Sequence, residues 1–330
     1  MMQKILAFRL SALGDVAMTV PVILAVLEQN PQVEITMVAP SMLHDFYPQH
    51  PRLHLVDFNK KNKHRGLAGI YHFCQEITQE PFDAFADLHG VLRSFVLGFL
   101  LKNKGLKISR IDKGRAEKRA LTRRHHKILK PLKHTTERYA DVFRNLGLEV
   151  KLSHQLKNHL FAPMPKLGNA VGIAPFAKHK GKRYPLNEIL QLILHLTQRG
   201  KKVYIFGSKQ EAASLDGIKD PNIEIVAGKL SFKEELKLIS RLDCMLSMDS
   251  SNMHMASLVG VLVVSVWGAT HPYAGFMGYG QSAENAVQDT ELNCRPCSVF
   301  GDKKCFRGDW ACFDAITPED LSIKIEKLSS

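Results

Sequence analysis

The sequence has no apolar run long enough to cross a bilayer. Its longest apolar stretches, near Phe95–Leu101 and Leu258–Trp267, fall well short of the roughly 18–20 residues a helical span needs. It has no dinucleotide fingerprint either. The turn after the first strand candidate, SALGD, carries one glycine where G-x-G-x-x-G has three, which argues against a nicotinamide site. Short-period repeats are absent, and with them solenoid architectures. No helix-turn-helix, RNP or finger pattern accompanies the basic charge, so nucleic acid is not an expected partner. Acidic side chains are in deficit. There are 32 Asp and Glu against 45 Lys and Arg, a net charge of +13, which favours anionic partners such as phosphorylated substrates or acidic lipid head groups. The opening MMQKILAFRLSALGDVAMTV resembles a signal peptide only superficially, because Arg9 and Asp15 interrupt its apolar part. Cytoplasmic residence is the expectation.

What remains is a globular balance, 45% hydrophobic and 23% charged over 330 residues, enough for two domains. Short apolar runs alternate with helical patterns. Lys4–Phe8, Glu34–Val38, Leu53–Phe58 and Ala84–Leu88 read as strands, and Val16–Leu27 and His134–Leu146 as helices. The alternation resumes at Ala170–Ala174 and ends in a helix over Thr317–Leu328, with Thr317 as its N-cap. Strands separated by helices imply right-handed crossovers and parallel sheets. The expected class is α/β, with domains at 1–165 and 166–330 and a linker over Leu156–Gly168. Ligands in such sheets bind beyond the carboxyl ends of the strands.

Three loops there carry chemistry. Arg9-Leu-Ser-Ala-Leu-Gly14-Asp15 puts a carboxylate in the first turn of a helix, where it can stabilise the helix start or take a proton from an incoming hydroxyl. Asp249-Ser-Ser-Asn-Met-His254 follows the strand Cys244–Ser247. Its hydroxyls and helix-start amides suit a phosphate, while Asp249 or Ser250 could equally be a plain cap. Ala174–Pro185 gathers Lys178, Lys180, Lys182 and Arg183 beside a helix start, as a diphosphate leaving group would require, or as a solvated basic loop. Glu211, after the next strand, could bind ribose hydroxyls or stabilise its helix.

Together these segments resemble the heptosyltransferases, glycosyltransferase family 9. RLSALGDVAMTVP is similar to the family's opening motif and DLHGVLRS (Asp87–Ser94) to its mid-domain segment. GIAPFAKHKGKRYP is similar to its donor loop and DSSNMHMASLVGVLVVSVWGATHP to its signature. The resemblance implies a GT-B fold, two Rossmann-like domains with parallel sheets facing across a cleft, the acceptor on the first and the donor on the second. It implies inverting transfer of heptose from ADP-heptose to a lipopolysaccharide inner-core acceptor, a lipid A-core oligosaccharide, with no cofactor required. By position, Asp15 would be the general base and Arg93 an acceptor contact. Lys182 would meet the donor phosphates and Glu211 the ribose, while Asp249, Ser250, Ser251 and His254 would form the sugar and diphosphate loop. Three positions depart from the motifs: Ser250-Ser251 for Thr-Gly, Tyr184 for Trp and Asn252 for Pro. Alternatives are another GT-B nucleotide-sugar transferase, an epimerase, or a non-catalytic glycolipid-binding member.

Two features lie outside the motifs. Between Lys102 and Lys133, thirteen Lys and Arg face only Asp112 and Glu117. With a glycolipid acceptor this run is expected to make a peripheral contact with anionic membrane, at the inner face of the inner membrane. Cys294, Cys297, Cys305 and Cys312 crowd one segment. Four thiols are the number a tetrahedral structural zinc uses, though not in paired C-x-x-C form, and reduced thiols and disulfides are the other readings.

Overall fold

A computed structural model describes residues 2–60 and 62–329. Elements follow in chain order. The first stretch holds β1 (Gln3–Phe8), α1 (Leu13–Ala17), α2 (Val20–Gln29), β2 (Val33–Ala39), β3 (Leu53–Asp57), α3 (Gly66–Ile77), β4 (Ala84–Asp87), α4 (Leu92–Asn103), β5 (Lys107–Arg110), α5 (Arg115–Thr122) and α6 (Thr135–Arg144). The second holds β6 (Ala170–Ala174), α7 (Leu186–Gln198), β7 (Lys202–Ile205), α8 (Lys209–Ala212), β8 (Ile223–Ile225), α9 (Phe232–Ser240), β9 (Cys244–Met248), α10 (Ser251–Leu258), β10 (Leu262–Val266), β11 (Ala286–Val287) and α11 (Pro318–Leu328). The chain divides into two compact units, Met1–Lys113 with Thr135–Ser153, and Gly114–His134 with His154–Ser330.

The first unit is built on a five-stranded parallel sheet, ordered β3-β2-β1-β4-β5. Ile5, Leu6, Ala7 and Phe8 of the central strand are all fully buried, the signature of a parallel strand covered on both faces. The edge strand β3 is only partly covered. Phe8 anchors the core against Phe58, edge-to-face with ring centroids 5.5 Å apart, and against Phe85, tilted at 6.1 Å. The expected single helix over Val16–Leu27 is two. It breaks at Met18–Thr19, where the Thr19 hydroxyl bonds back to the Val16 carbonyl and meets the Tyr47 hydroxyl.

The second unit carries a six-stranded parallel sheet, ordered β11-β10-β9-β6-β7-β8. Its central strands, AVGIA and CMLSM, are buried throughout. The Thr317 hydroxyl accepts from the Asp320 amide and caps α11, as expected.

The unit boundaries differ from a division at 165. The chain enters the second unit at Gly114, returns to the first at Thr135, and crosses for good after Ser153. Packing explains the excursion. Leu121 and Leu132 bury against Ala274 and Phe276, and the Leu132 amide donates to the Tyr273 carbonyl at 2.9 Å. The basic run is therefore not one solvated surface. Lys118 sits 4.2 Å over the Phe276 ring, Arg124 lies 4.8 Å over Phe306, and Lys127 donates to the carbonyls of Asn293 and Cys294. The expected linker belongs to the second unit too, where Asn158 bridges Val259. Among the described residues, no helix is long and apolar enough to cross a membrane.

Candidate active site

Each unit carries one cluster of candidate residues at the carboxyl end of its central strands. In the first, β1 ends at Phe8 and the chain turns into α1. Asp15 is the third residue of that helix, and its Oδ2 accepts the Ala12 amide at 3.1 Å. This is half of a capping box, because Ala12 has no oxygen to return the bond. The same oxygen lies 2.8 Å from Arg9 Nη2. The Arg9 side chain is 7% exposed and that of Asp15 25%, so the carboxylate alone reaches solvent. The Leu88 carbonyl fixes Arg9 Nη1 at 2.7 Å. Tyr139, fully buried on α6, brings its hydroxyl to 3.4 Å from Asp15 Oδ1. Burial pushes the Tyr139 phenol up, so it remains protonated and can only donate towards a carboxylate. The helix-start role and a role at a reacting hydroxyl are thus compatible for Asp15.

DLHGVLRS forms the neighbouring turn. Asp87 is fully buried. It accepts the amides of His89 and Gly90 at 3.0 and 2.8 Å, the Ser94 hydroxyl at 2.9 Å and Arg110 Nε at 2.8 Å. Its work is to shape the loop. The turn presents His89, whose Nε2 is 3.4 Å from Ser11 Oγ and whose buried Nδ1 has no hydrogen-bond partner. Burial pushes the imidazole down to about 3, and Arg9 and Lys113 add to the effect, so His89 is neutral at physiological pH. Arg93 is half-buried, 5.8 Å from the Phe58 ring. Sequence reasoning quoted Arg9 and His89 only within motifs and missed Tyr139, which lies 124 residues from Asp15 and carries no local signal.

In the second unit, the loop after β6 tightens into a single turn at Lys180–Lys182. Gly181 is clamped there. Its amide donates to the Gly301 carbonyl and its carbonyl accepts from Ala269 at 2.8 Å. A Cβ at Gly181 would stand 2.9 Å from the Ala269 methyl and the Gly301 oxygen, so only glycine fits. The clamp delivers Lys182 Nζ to 2.8 Å from Asp249 Oδ2, with side-chain exposures of 15% and 4%. The contact is a close ion pair without hydrogen-bond alignment, since that oxygen has no aligned donor. The other basic side chains of the loop turn elsewhere. Arg183 folds back onto the Ala177 carbonyl, and Lys180 lies 5.7 Å over Trp310.

Asp249 extends β9, with its amide on the Val266 carbonyl at 3.2 Å. Ser250 follows as N-cap of α10 in extended backbone. Its hydroxyl meets Ser247 Oγ at 3.1 Å rather than capping the helix. Ser251 opens the helix, and His254 lies one turn in, buried. Asn252 donates to Glu235 Oε1 on α9 at 3.3 Å. Burial pushes the Glu235 carboxyl up to about 7, against the opposing effect of that amide. Glu211 is engaged at its helix start, where Oε2 accepts the Ser208 amide and hydroxyl, both at 2.8 Å. Tyr184 is core rather than an exposed face. It is 3% accessible and its hydroxyl donates to the Ile316 carbonyl at 2.5 Å.

The four clustered cysteines line one recess with Trp310 and Phe306. All are free thiols, and burial pushes Cys312 up to about 12. Among the described residues, no group of three or more His, Cys, Asp or Glu is arranged to hold a metal ion.

Known proteins match this architecture. The family described as "Glycosyltransferase family 9 (heptosyltransferase)" matches residues 70–304. The lipooligosaccharide heptosyltransferase 2 of Campylobacter jejuni is 22% identical over 329 residues, covering 96% of each chain. The solved glycosyl transferase family 9 protein of Veillonella parvula superposes with a TM-score of 0.74 at 19% identity, covering 99% of this chain and 97% of that one. The Escherichia coli heptosyltransferase WaaC, solved with ADP, gives 0.70 at 15% identity over 99% of this chain and all of that one. The two parallel α/β units are those of the GT-B class, and the molecule is a glycosyltransferase. Within that class, the chain belongs to glycosyltransferase family 9, the heptosyltransferases.

Proposed function

We propose that the protein transfers a heptose from an ADP-heptose-type nucleotide sugar to a lipopolysaccharide inner-core acceptor, with inversion in a single displacement. The observation that carries the reading is Asp15: a quarter-exposed carboxylate, held at the end of the central strand by Arg9, the Ala12 amide and the Tyr139 hydroxyl. A base at an acceptor hydroxyl needs that combination of fixed position and access. In the proposed step Asp15 takes the acceptor O–H proton while the oxygen attacks the anomeric carbon. The bond from that carbon to the diphosphate breaks, and ADP leaves with the electron pair. Lys182 and the first amides of α10 receive the diphosphate charge, which is the electrostatic stabilisation such a leaving group needs. Asp249 orients Lys182 at the head of the sugar and diphosphate loop; Ser250, Ser251 and His254 complete that loop, and Glu211, from its helix start, is assigned to the ribose. Arg93 is assigned to the acceptor. Relatives named for lipopolysaccharide core and lipooligosaccharide heptose transfer support the substrate class.

The test is nucleotide release across ADP- and UDP-sugars with a defined core acceptor, for the native protein and Asp15→Asn. Acceptor-dependent ADP release that collapses in the variant is expected. Preference for UDP-sugars would overturn the donor. Release without acceptor dependence would overturn the transfer. Normal turnover of Asp15→Asn would remove the base.

A further inference from the structure

The outer face of α4 is largely exposed, with only Arg110 stacked on it at Phe95. Leu92, Phe95 and Phe99 are 79, 46 and 65% exposed, at the i, i+3, i+7 spacing that places them on one stripe. The next position on that stripe is Lys102. The opposite face is buried through Ser94, Leu97, Gly98 and Leu101, and a Cβ at Gly98 would lie 3.4 Å from Phe85. The helix is therefore fixed to the sheet and cannot turn its apolar stripe inward. The adjacent α3, packed beside α4, exposes Leu67 and Tyr71 at 68 and 50%. Three large side chains in line make more than the scattered apolar exposure usual on a soluble surface.

Charge identifies the occupant. From Leu88 to Ile111 the sequence contains no Asp or Glu and five basic residues, Arg93, Lys102, Lys104, Lys107 and Arg110. Arg110 is spent on Asp87 and lies 3.7 Å over the Phe95 ring, but Lys102, Lys104 and Lys107 are exposed. An apolar stripe beside a basic belt is the pattern of an interfacial helix on an anionic bilayer. The side chains enter the acyl boundary while lysines stay at the head groups. A second copy of the chain would bring the same basic belt against itself.

We infer that α4 is the principal docking surface of the protein on anionic phospholipid. The strap at 114–134 packs Lys118 and Lys127 within the second unit but also exposes Ile128 and Leu129, so the vesicle test compares the two surfaces directly. The surface goes beyond the sugar-transfer reading and would operate whichever sugar is moved.

The full-length protein is sedimented with vesicles containing phosphatidylglycerol and with vesicles of phosphatidylcholine alone, at low and high salt. Leu92→Ser with Phe99→Ser spares the Phe95–Arg110 stack and should leave the thermal transition in place. Its affinity for anionic vesicles is expected to fall about tenfold or more. Replacing Lys102, Lys104 and Lys107 by Gln should weaken binding and flatten its salt dependence. Replacing Arg119 and Lys130 on the strap should change it less than about twofold. Transfer to a delipidated, soluble acceptor should be unchanged in the Leu92/Phe99 variant, which separates docking from catalysis. Three results would overturn the inference: equal binding to both vesicle types, full binding by the Leu92/Phe99 variant, or a lipid-free dimer that this variant dissociates.

Discussion

Two aspartates stand at the carboxyl ends of central strands, one in each unit, though not at equivalent strands of the two sheets. Asp15 follows the central strand β1 and Asp249 follows β9, and each is paired with a basic side chain at 2.8 Å. The pairs are nevertheless opposite in design. In the first, the cation is sealed and the carboxylate is open, with exposures of 7 and 25%. In the second, the carboxylate is sealed and the lysine is the more open member, 4 against 15%. An accessible carboxylate can exchange a proton with a substrate. An accessible ammonium backed by a carboxylate can meet a phosphate. The accessible member of each pair is thus the group free to meet a ligand, a proton acceptor in the first unit and a cation in the second.

The strongest way to break this comparison is at Asp15. Asp15→Asn keeps an acceptor for the Ala12 amide but removes the base, and turnover should fall by roughly 10²–10⁴ with donor affinity nearly unchanged. Asp15→Ala should lose as much activity and, unlike Asn, also stability. It strands the Arg9 guanidinium, 6% exposed, without its partner, and breaking a buried pair from one side costs about 3–5 kcal/mol. Turnover with binding titration, alongside thermal melts, separates the two effects. A Tm of Asp15→Ala equal to that of the native protein would show that Arg9 does not depend on Asp15.

The next largest effect belongs to the second pair and should appear in affinity. Lys182→Gln is expected to weaken ADP binding by roughly 10–100-fold, the range for loss of one charge-assisted contact, measured by calorimetry. Because Asp249 is then buried without its partner, Asp249→Asn in the same chain should cost less than it does alone. Additive losses in that double-mutant cycle would mean that the two side chains are not coupled.

The two sites were unequally legible in the sequence. The alternation of apolar runs and helical patterns located β1 to β4, β6 and β9 to within a residue or two, because buried parallel strands leave continuous apolar runs such as KILAF and AVGIA; the short edge strands β5 and β11 leave no such run and were not marked. Asp15, Lys182 and Asp249 could be singled out because each follows a strand. Tyr139 and the 114–134 excursion could not, since both depend on contacts over more than a hundred positions: Tyr139 with Asp15, and Leu121 and Leu132 with Ala274 and Phe276. Charge alone gave no sign at the strap that Lys118 and Arg124 stack on aromatic rings of the second unit. Glu211 and Tyr184 show a further limit. A motif position gives no sign that its side chain is already occupied by a helix start or a core carbonyl.

The comparison extends to pH with opposite signs. His89, beside Asp15, is held at about 3 from an ordinary 6.5, so the unfolded chain binds its proton first. The stability that neutral His89 provides is complete above about pH 6.5 and is lost as pH falls towards 3, by roughly a few kcal/mol in total. His89→Gln should therefore reduce the loss of Tm on acidification across that window. A variant that loses Tm as steeply as the native chain would show that other groups control the acid limb.

Glu235, bonded to Asn252 at the head of α10, should give the smallest effect and the reverse slope. Its carboxyl is raised from 4.5 to about 7, so the folded chain keeps a proton that the unfolded chain releases. The stabilisation is full below about pH 4.5 and disappears as pH rises through 7. Glu235→Gln preserves an acceptor for Asn252 and removes the titration, so Tm should decline less between those limits. Donor affinity should change by less than about threefold, as expected for one neutral hydrogen bond outside the ligand's reach. A large affinity change in this variant would mean that Glu235 acts on the donor loop directly, and that the second cluster includes a titrating carboxyl as the first does.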